Sequence, residues 1–209
     1  MNIKSYIIGD NNDDLFGCHN DAKLIYNLFY TFYLQNNSIW DLPNIYIKEI
    51  FNKINIDDNN IIIIYFSGHS NKKGELLIKK KKYSSDYFLN LININKKKCK
   101  VIFIIDSCYS INFISKNNYE YIFKIHYFLS QSPDNVSKEF LIDYDNTKYK
   151  YIKIKNNYSK IVNGIFTYFF CKIIDYIFFL NLDDIHNIDS VIKNPIWKYV
   201  LNKFNQNIF

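Results

Sequence analysis

Two short clusters of reactive side chains stand out in this chain. One is Ser67-Gly68-His69-Ser70 and the other is Asp106-Ser107-Cys108. A thiol beside an imidazole is the pair needed to attack an amide carbonyl. The imidazole takes the thiol proton and later gives one to the leaving amine. The tetrahedral intermediate then needs donors for its oxyanion. The backbone N–H of Cys108 and one from the turn at Gly68 and Ser70 are the candidates, since Gly68 lets the backbone approach closely. Each residue alone has a plainer reading. A cysteine after a strand is usually a small buried hydrophobe, a loop histidine is usually solvated, and Asp106 could cap a following helix. It is the conjunction that points to chemistry.

Each cluster directly follows a continuous apolar run. Residues 61–66 read Ile-Ile-Ile-Ile-Tyr-Phe and residues 101–105 read Val-Ile-Phe-Ile-Ile. Unbroken β-branched and aromatic runs of this length are the pattern of strands buried on both faces. The residues between His69 and Cys108 suffice for a helical crossover. Neighbouring parallel strands would lie roughly 4.8 Å apart and release both clusters at one edge of the sheet. That edge, at the carboxyl ends of the strands, is where open α/β sheets place their sites.

Around these runs, residues 3–8 and 121–129 are expected as strands and 9–17 as a polar loop. Apolar residues at helical spacing predict a helix from 22 to about 32, with Asn20 and Asp21 offering capping oxygens. Further helices are expected over 45–54, 86–94, 165–179 and 190–204. Hairpins are expected near 76–83 and at an exposed edge over 147–154. Strands alternating with helices predict an α/β fold: a three-layer sandwich with a mostly parallel central sheet flanked by helices, in a single domain over residues 1–209.

Composition narrows the function. The 209 residues are 48% hydrophobic and 22% charged, enough for a sizeable core and too apolar for disorder. The bias toward Asn, Ile, Lys, Tyr and Phe reflects AT-rich codons. Net charge is +6, but it is carried by Lys alone, in runs at 79–82 and 96–98 between expected elements. Arg, the residue of bidentate phosphate and guanine contacts, is absent, so no nucleic-acid partner is expected. The four cysteines, Cys18, Cys99, Cys108 and Cys171, form no C-x-x-C pair, which argues against a zinc knuckle. The start of the chain lacks the form of a secretory signal, so a reducing cytoplasm is the expected location. The apolar stretch at 161–180 contains Lys172 and Asp175, each costing about 2.5–3.5 kcal/mol at a membrane centre. A buried core helix is expected there, with no membrane partner.

With these residues in view, the chain resembles the caspase-like cysteine peptidases, and among them the metacaspases and paracaspases. Ser67-Gly68-His69 and Asp106-Ser107-Cys108 are similar to that family's paired catalytic blocks. Gly17-Cys18-His19-Asn20-Asp21-Ala22 resembles the G-C-x-N-D-A at the start of its first helix. Residues 129–135, with Glu139 beyond, are similar to its strand followed by D-Q-x-x-E. Gly164-Ile165-Phe166-Thr167 matches G-x-F-T before a late helix. The blocks keep the family's order over nearly the whole chain.

The resemblance implies an endopeptidase with Cys108 as nucleophile and His69 as base. It implies cleavage after Lys or Arg, through a pocket formed by Cys18, Asp21, Ser67 and Asp106. Two carboxylates in a narrow, partly dry slot select a cation on a long stem; Asp21 alone could equally be an N-cap. True caspases hold an aspartate with arginines, which this chain lacks. Three positions depart from the pattern: Ser70 replaces a usual Gly, Tyr109 a frequent His, and Ile111 a frequent Gly. The acids that bind calcium in some relatives are represented only by Glu75 and Asp86, so no calcium, other metal or cofactor is expected. Protein or peptide substrates with basic residues are the expected partners, and a monomer is expected over a dimer. The rival reading is a caspase-fold interaction or regulatory module that does not cut.

Overall fold

A computed structural model of the chain describes residues 3–11, 15, 17–31, 35–39, 60–93, 99–117, 123–130, 139–142, 161–164, 166–168 and 170–172. The expected helices at 45–54 and 190–204 and the hairpin edge at 147–154 lie outside these residues. Strands β1 (Ile3–Gly9), β2 (Gln35–Ile39), β3 (Asn60–Ser67), β6 (Cys99–Asp106) and β7 (Phe123–Leu129) form one parallel sheet in the order β2-β1-β3-β6-β7. Chain order reverses between β1 and β3. In a doubly wound sheet, that reversal opens a crevice outside the carboxyl ends of the strands.

The apolar runs behave as strands covered on both sides. Ile62, Ile64 and Phe66 of β3 face one core, with Val101, Phe103 and Ile105 of β6. Ile61, Ile63 and Tyr65 face the other, with Ile102 and Ile104. The first core is closed by α2 (Ser85–Asn93), which inserts Phe88, Leu89 and Ile92, and by the hairpin of β4 (Leu76–Ile78) and β5 (Lys81–Tyr83). Phe103 is its aromatic centre, edge-on to Phe113 at 5.2 Å and stacked on Tyr127 at 5.3 Å. The second core is closed by α1 (Cys18–Thr31), whose Ala22, Ile25 and Leu28 recur at helical spacing, and by Phe166 and Phe170. Burying each such large apolar side chain is worth about 1.5–3 kcal/mol. Sheet and two covering layers form the three-layer α/β sandwich that the alternation of elements predicts.

Several boundaries differ from expectation. Helix α1 starts at Cys18, so Asp21 lies inside its first turn and does not cap it. A first-turn amide is satisfied from outside: Asn11 Oδ1 accepts from the His19 N–H at 3.0 Å. Strand β2 was not expected, nor was the antiparallel pair β8 (Glu139–Ile142) and β9 (Ile161–Gly164). The apolar stretch at 161–180 opens as strand β9, just before the helix expected over 165–179. Residues 166–168 and 170–172 beyond it are helical. Among the described residues, no helix is long and apolar enough to cross a membrane.

Candidate active site

The register of the two central strands sets the site. Ser67, the last residue of β3, pairs with Asp106, the last residue of β6. Both chains therefore leave the sheet at the same level. The Gly68 N–H donates to the Asp106 carbonyl at 3.2 Å, which extends the ladder one step into the loops. Beyond it the Ser70 hydroxyl donates to the carbonyl of Cys108. His69 and Cys108 thus sit on adjacent, cross-tied loops at the carboxyl edge, and both are half-buried. Cys18, Cys99 and Cys171 are buried. Burial pushes the Cys99 thiol up to about 12, which keeps it out of thiolate chemistry.

Each loop is stiffened locally. After His69, the Asn71 side chain accepts from the amides of Lys73 and Glu75, each at 3.0 Å, and donates to Glu75 Oε2 at 2.6 Å. The His69 carbonyl accepts from the Leu77 N–H at 2.8 Å, binding the loop to β4. After Cys108, Tyr109 takes a left-handed backbone (φ 52°) and leads into a short 3-10 turn, Ser110–Phe113. From behind, Ser130 holds this segment. Its Oγ accepts from the Ser107 N–H at 3.0 Å, and its carbonyl accepts from the Ser110 hydroxyl. The two loops also meet at their far ends, where Asn112 Nδ2 donates to the Lys72 carbonyl at 3.0 Å.

Beside these loops lies a buried acidic pair. Asp21 from α1 is 1% exposed and Asp106 from β6 is 3% exposed. Ser67 Oγ donates to Asp21 Oδ2 at 2.8 Å, so two of the expected pocket residues are in direct contact. The Gly164 N–H points at both Asp21 oxygens, at 2.9 and 3.1 Å. Asp106 Oδ2 accepts from the Thr167 hydroxyl at 2.8 Å and from its amide at 3.2 Å. Asp106 therefore engages a segment 61 residues away. Gly164 is wedged between the acids: a Cβ there would stand 2.2 Å from Asp106 Oδ2 and 3.0 Å from Asp21 Oδ2. Cys18, the remaining expected pocket residue, is buried in the turn that carries Asp21.

Residue-by-residue reading did not single out Gly164, Thr167 and Tyr65 as part of this cluster. The first two lay in the G-x-F-T block; Tyr65 carried only a strand signal. Tyr65 OH and Thr167 Oγ1 are 2.6 Å apart in the buried core. Burial first, and then the charges of Asp21 and Asp106, raise the Tyr65 phenol well above its ordinary value. Among the described residues, no group of three or more His, Cys, Asp or Glu is arranged to hold a metal ion.

A parallel sheet wrapped on both faces, with a thiol and an imidazole leaving adjacent strand ends, defines the architecture of the caspase-like peptidases. A family model for the caspase domain matches residues 1–181, and the chain belongs to that family of cysteine peptidases, which act on protein substrates. A search of the curated proteins found no match.

Proposed function

We propose that the protein is a cysteine endopeptidase that cuts after Lys or Arg, with Cys108 and His69 as its dyad. Cys108 passes its proton to His69, and the sulfur adds to the scissile carbonyl carbon. The amides of Cys108 and Ser70 receive the oxyanion, with Gly68 shaping the turn while its own amide serves the Asp106 carbonyl. Collapse breaks the C–N bond as the His69 proton moves to the departing nitrogen. Water then hydrolyses the thioester, giving a proton to His69, and the thiol is restored.

The observation that carries the specificity is the acidic pair. Asp21 and Asp106 reach one point from different elements, and Asp106 is two residues before the nucleophile. Ser67, Gly164 and Thr167 donate to them as neutral groups. A buried pair of this kind suits the ammonium or guanidinium of a substrate, with Cys18 and Ser67 completing the wall. Calcium is not required in this reading. Glu75 and Asp86, two of the acids between His69 and Cys108, are engaged by Asn71 and Ser115. A reducing cytoplasm suits a nucleophile kept as the reduced thiol.

A fluorogenic peptide library tests the proposal. The wild type is expected to release the reporter after Lys or Arg, undiminished in excess chelator. Cys108→Ala is expected to abolish release, and Asp106→Ala to lose basic-residue preference while remaining folded. A wild type that neither cleaves these peptides nor is labelled at Cys108 by a basic-residue chloromethylketone sinks the peptidase reading and favours a silent module.

A further inference from the structure

The acidic pair is supplied by α1 and β6, and donors from other elements hold it. Thr167 places two donors, its hydroxyl and its amide, on one oxygen, Asp106 Oδ2. Two bonds to a single oxygen from a side chain and its own backbone stop the carboxylate rotating. Asp106 and Thr167 are buried, as is Tyr65 behind them on β3.

Hydrogen-bond direction in this chain follows from simple counting. A hydroxyl has one proton, and Thr167 gives its own to Asp106. Its oxygen must then accept from the Tyr65 phenol, 2.6 Å away. That phenol keeps its proton through the ordinary pH range, because burial and the two nearby negative charges disfavour the phenolate. The sequence Tyr65 O–H, Thr167 O–H, Asp106 carboxylate is thus a one-way donor relay ending on a specificity carboxylate. Such chains polarise successive bonds, and the low-polarity interior strengthens each of them.

We infer that Thr167, backed by Tyr65, is a specificity-positioning residue that orients and strengthens the Asp106 carboxylate for the cation of the substrate. The inference rests on the reading of Asp21 and Asp106 as the pocket for Lys or Arg. It adds that the segment following β9 builds the pocket together with the strand ends that carry the dyad. A role only in docking that segment against the sheet would alter stability alike for every substrate. A positioning role alters discrimination between them.

The test compares Thr167→Val, which keeps shape and amide but removes the hydroxyl, with Thr167→Ser, which restores it. Paired peptides carry either arginine or uncharged norleucine before the cut. Thr167→Val is expected to raise KM for the arginine peptide about tenfold, the scale of one hydrogen bond to a charged group. Its kcat is expected to change far less, and the arginine-to-norleucine ratio of kcat/KM is expected to fall with the KM effect. Thr167→Ser is expected to recover the ratio. Should Thr167→Val not fold, Tyr65→Phe removes only the distal hydroxyl and is expected to shift the ratio in the same direction by a smaller factor. A wild-type ratio in Thr167→Val, failure of Thr167→Ser to differ from Thr167→Val, or an unmoved ratio in Tyr65→Phe overturns the inference. A wild type with no preference for arginine overturns the pocket itself, an outcome distinct from a preference that survives these variants.

Discussion

Replacing Gly74 by alanine probes whether the loops bearing His69 and Cys108 are held as a unit. Gly74 closes the turn after His69, donating its N–H to the Asn71 carbonyl at 2.8 Å. Its φ is +78°, where an L-residue pays about 1–2 kcal/mol. The new methyl would also stand 2.3 Å from Asn112 C, 2.4 Å from Phe113 N and 2.6 Å from Asn112 O. These are backbone atoms of the turn that follows Cys108, so no side chain can swing aside. Overpacking of that kind costs about 1–3 kcal/mol more. A total of roughly 2–5 kcal/mol lowers Tm by about 4–20 °C in a chain of this size. The less the protein unfolds, the more the strain must be relieved by parting the loops, and a displacement near 1 Å costs about 100-fold in turnover. Thermal unfolding and kcat on an arginine peptide would be measured together, with Lys73→Ala, exposed in the same turn, as the control expected within about 0.5 kcal/mol of wild type. A Gly74→Ala protein with unaltered Tm and unaltered kcat would refute the claim that these loops are locked against each other.

The acidic pair gives a second steric prediction. The φ of Gly164 lies outside the left-handed region, so alanine is opposed there by the two carboxylates nearest its Cβ; Gly164→Ala is expected to cost about 1–3 kcal/mol and to lower selectivity for basic residues, read from denaturant midpoints and paired-peptide kinetics. Alkaline titration should expose Tyr65. Its folded-state pKa lies above the ordinary 10.0, so its contribution to stability is complete below pH 10 and declines as pH rises from there through the folded value; Tyr65→Phe is expected to flatten that decline in unfolding curves taken above pH 10. Thiol labelling separates the cysteines: iodoacetamide on the native protein is expected to modify Cys108 and spare Cys99, whose thiol is pushed up to about 12, with mass mapping as the readout. The Ser70 hydroxyl, which ties the His69 loop to the Cys108 carbonyl, is expected to matter to kcat more than to KM, so Ser70→Ala is expected to lower turnover with little change in arginine affinity.

What could be read from the sequence was what apolar patterning encodes. Strands β3 and β6 announced themselves because burial on both faces demands unbroken Ile, Val and Phe, and their register brings the two reactive clusters level. Strand β2 was invisible for the opposite reason. Gln35, Asn36, Asn37 and Ser38 make an edge strand through backbone pairing with β1, which needs no apolar side chains. Strand β9 was hidden inside a long apolar stretch because Ile161 and Val162 fit a buried helix as well as a strand. The dyad candidates were legible as strand ends. The clamps on the acids were not, since an amide N–H and a threonine hydroxyl carry no signal of their chemistry until a fold sets a carboxylate in front of them.

That difference has a physical consequence for how the site is assembled. The loops bearing His69 and Cys108 are tied to each other through contacts made between residues 67–77 and 106–113. The acidic pair is held by Ser67 and also by Gly164 and Thr167, whose segment buries Phe166 and Phe170 against the face of the sheet that carries Tyr65. Docking of these two aromatic side chains contributes about 1.5–3 kcal/mol each, a large share of the marginal stability of a domain. Because Thr167 follows Phe166 directly, the burial that secures the fold is also the event that aims Asp106. Changes that loosen Phe166 or Phe170 should therefore erode discrimination for basic residues before they erode the reactivity of the thiol.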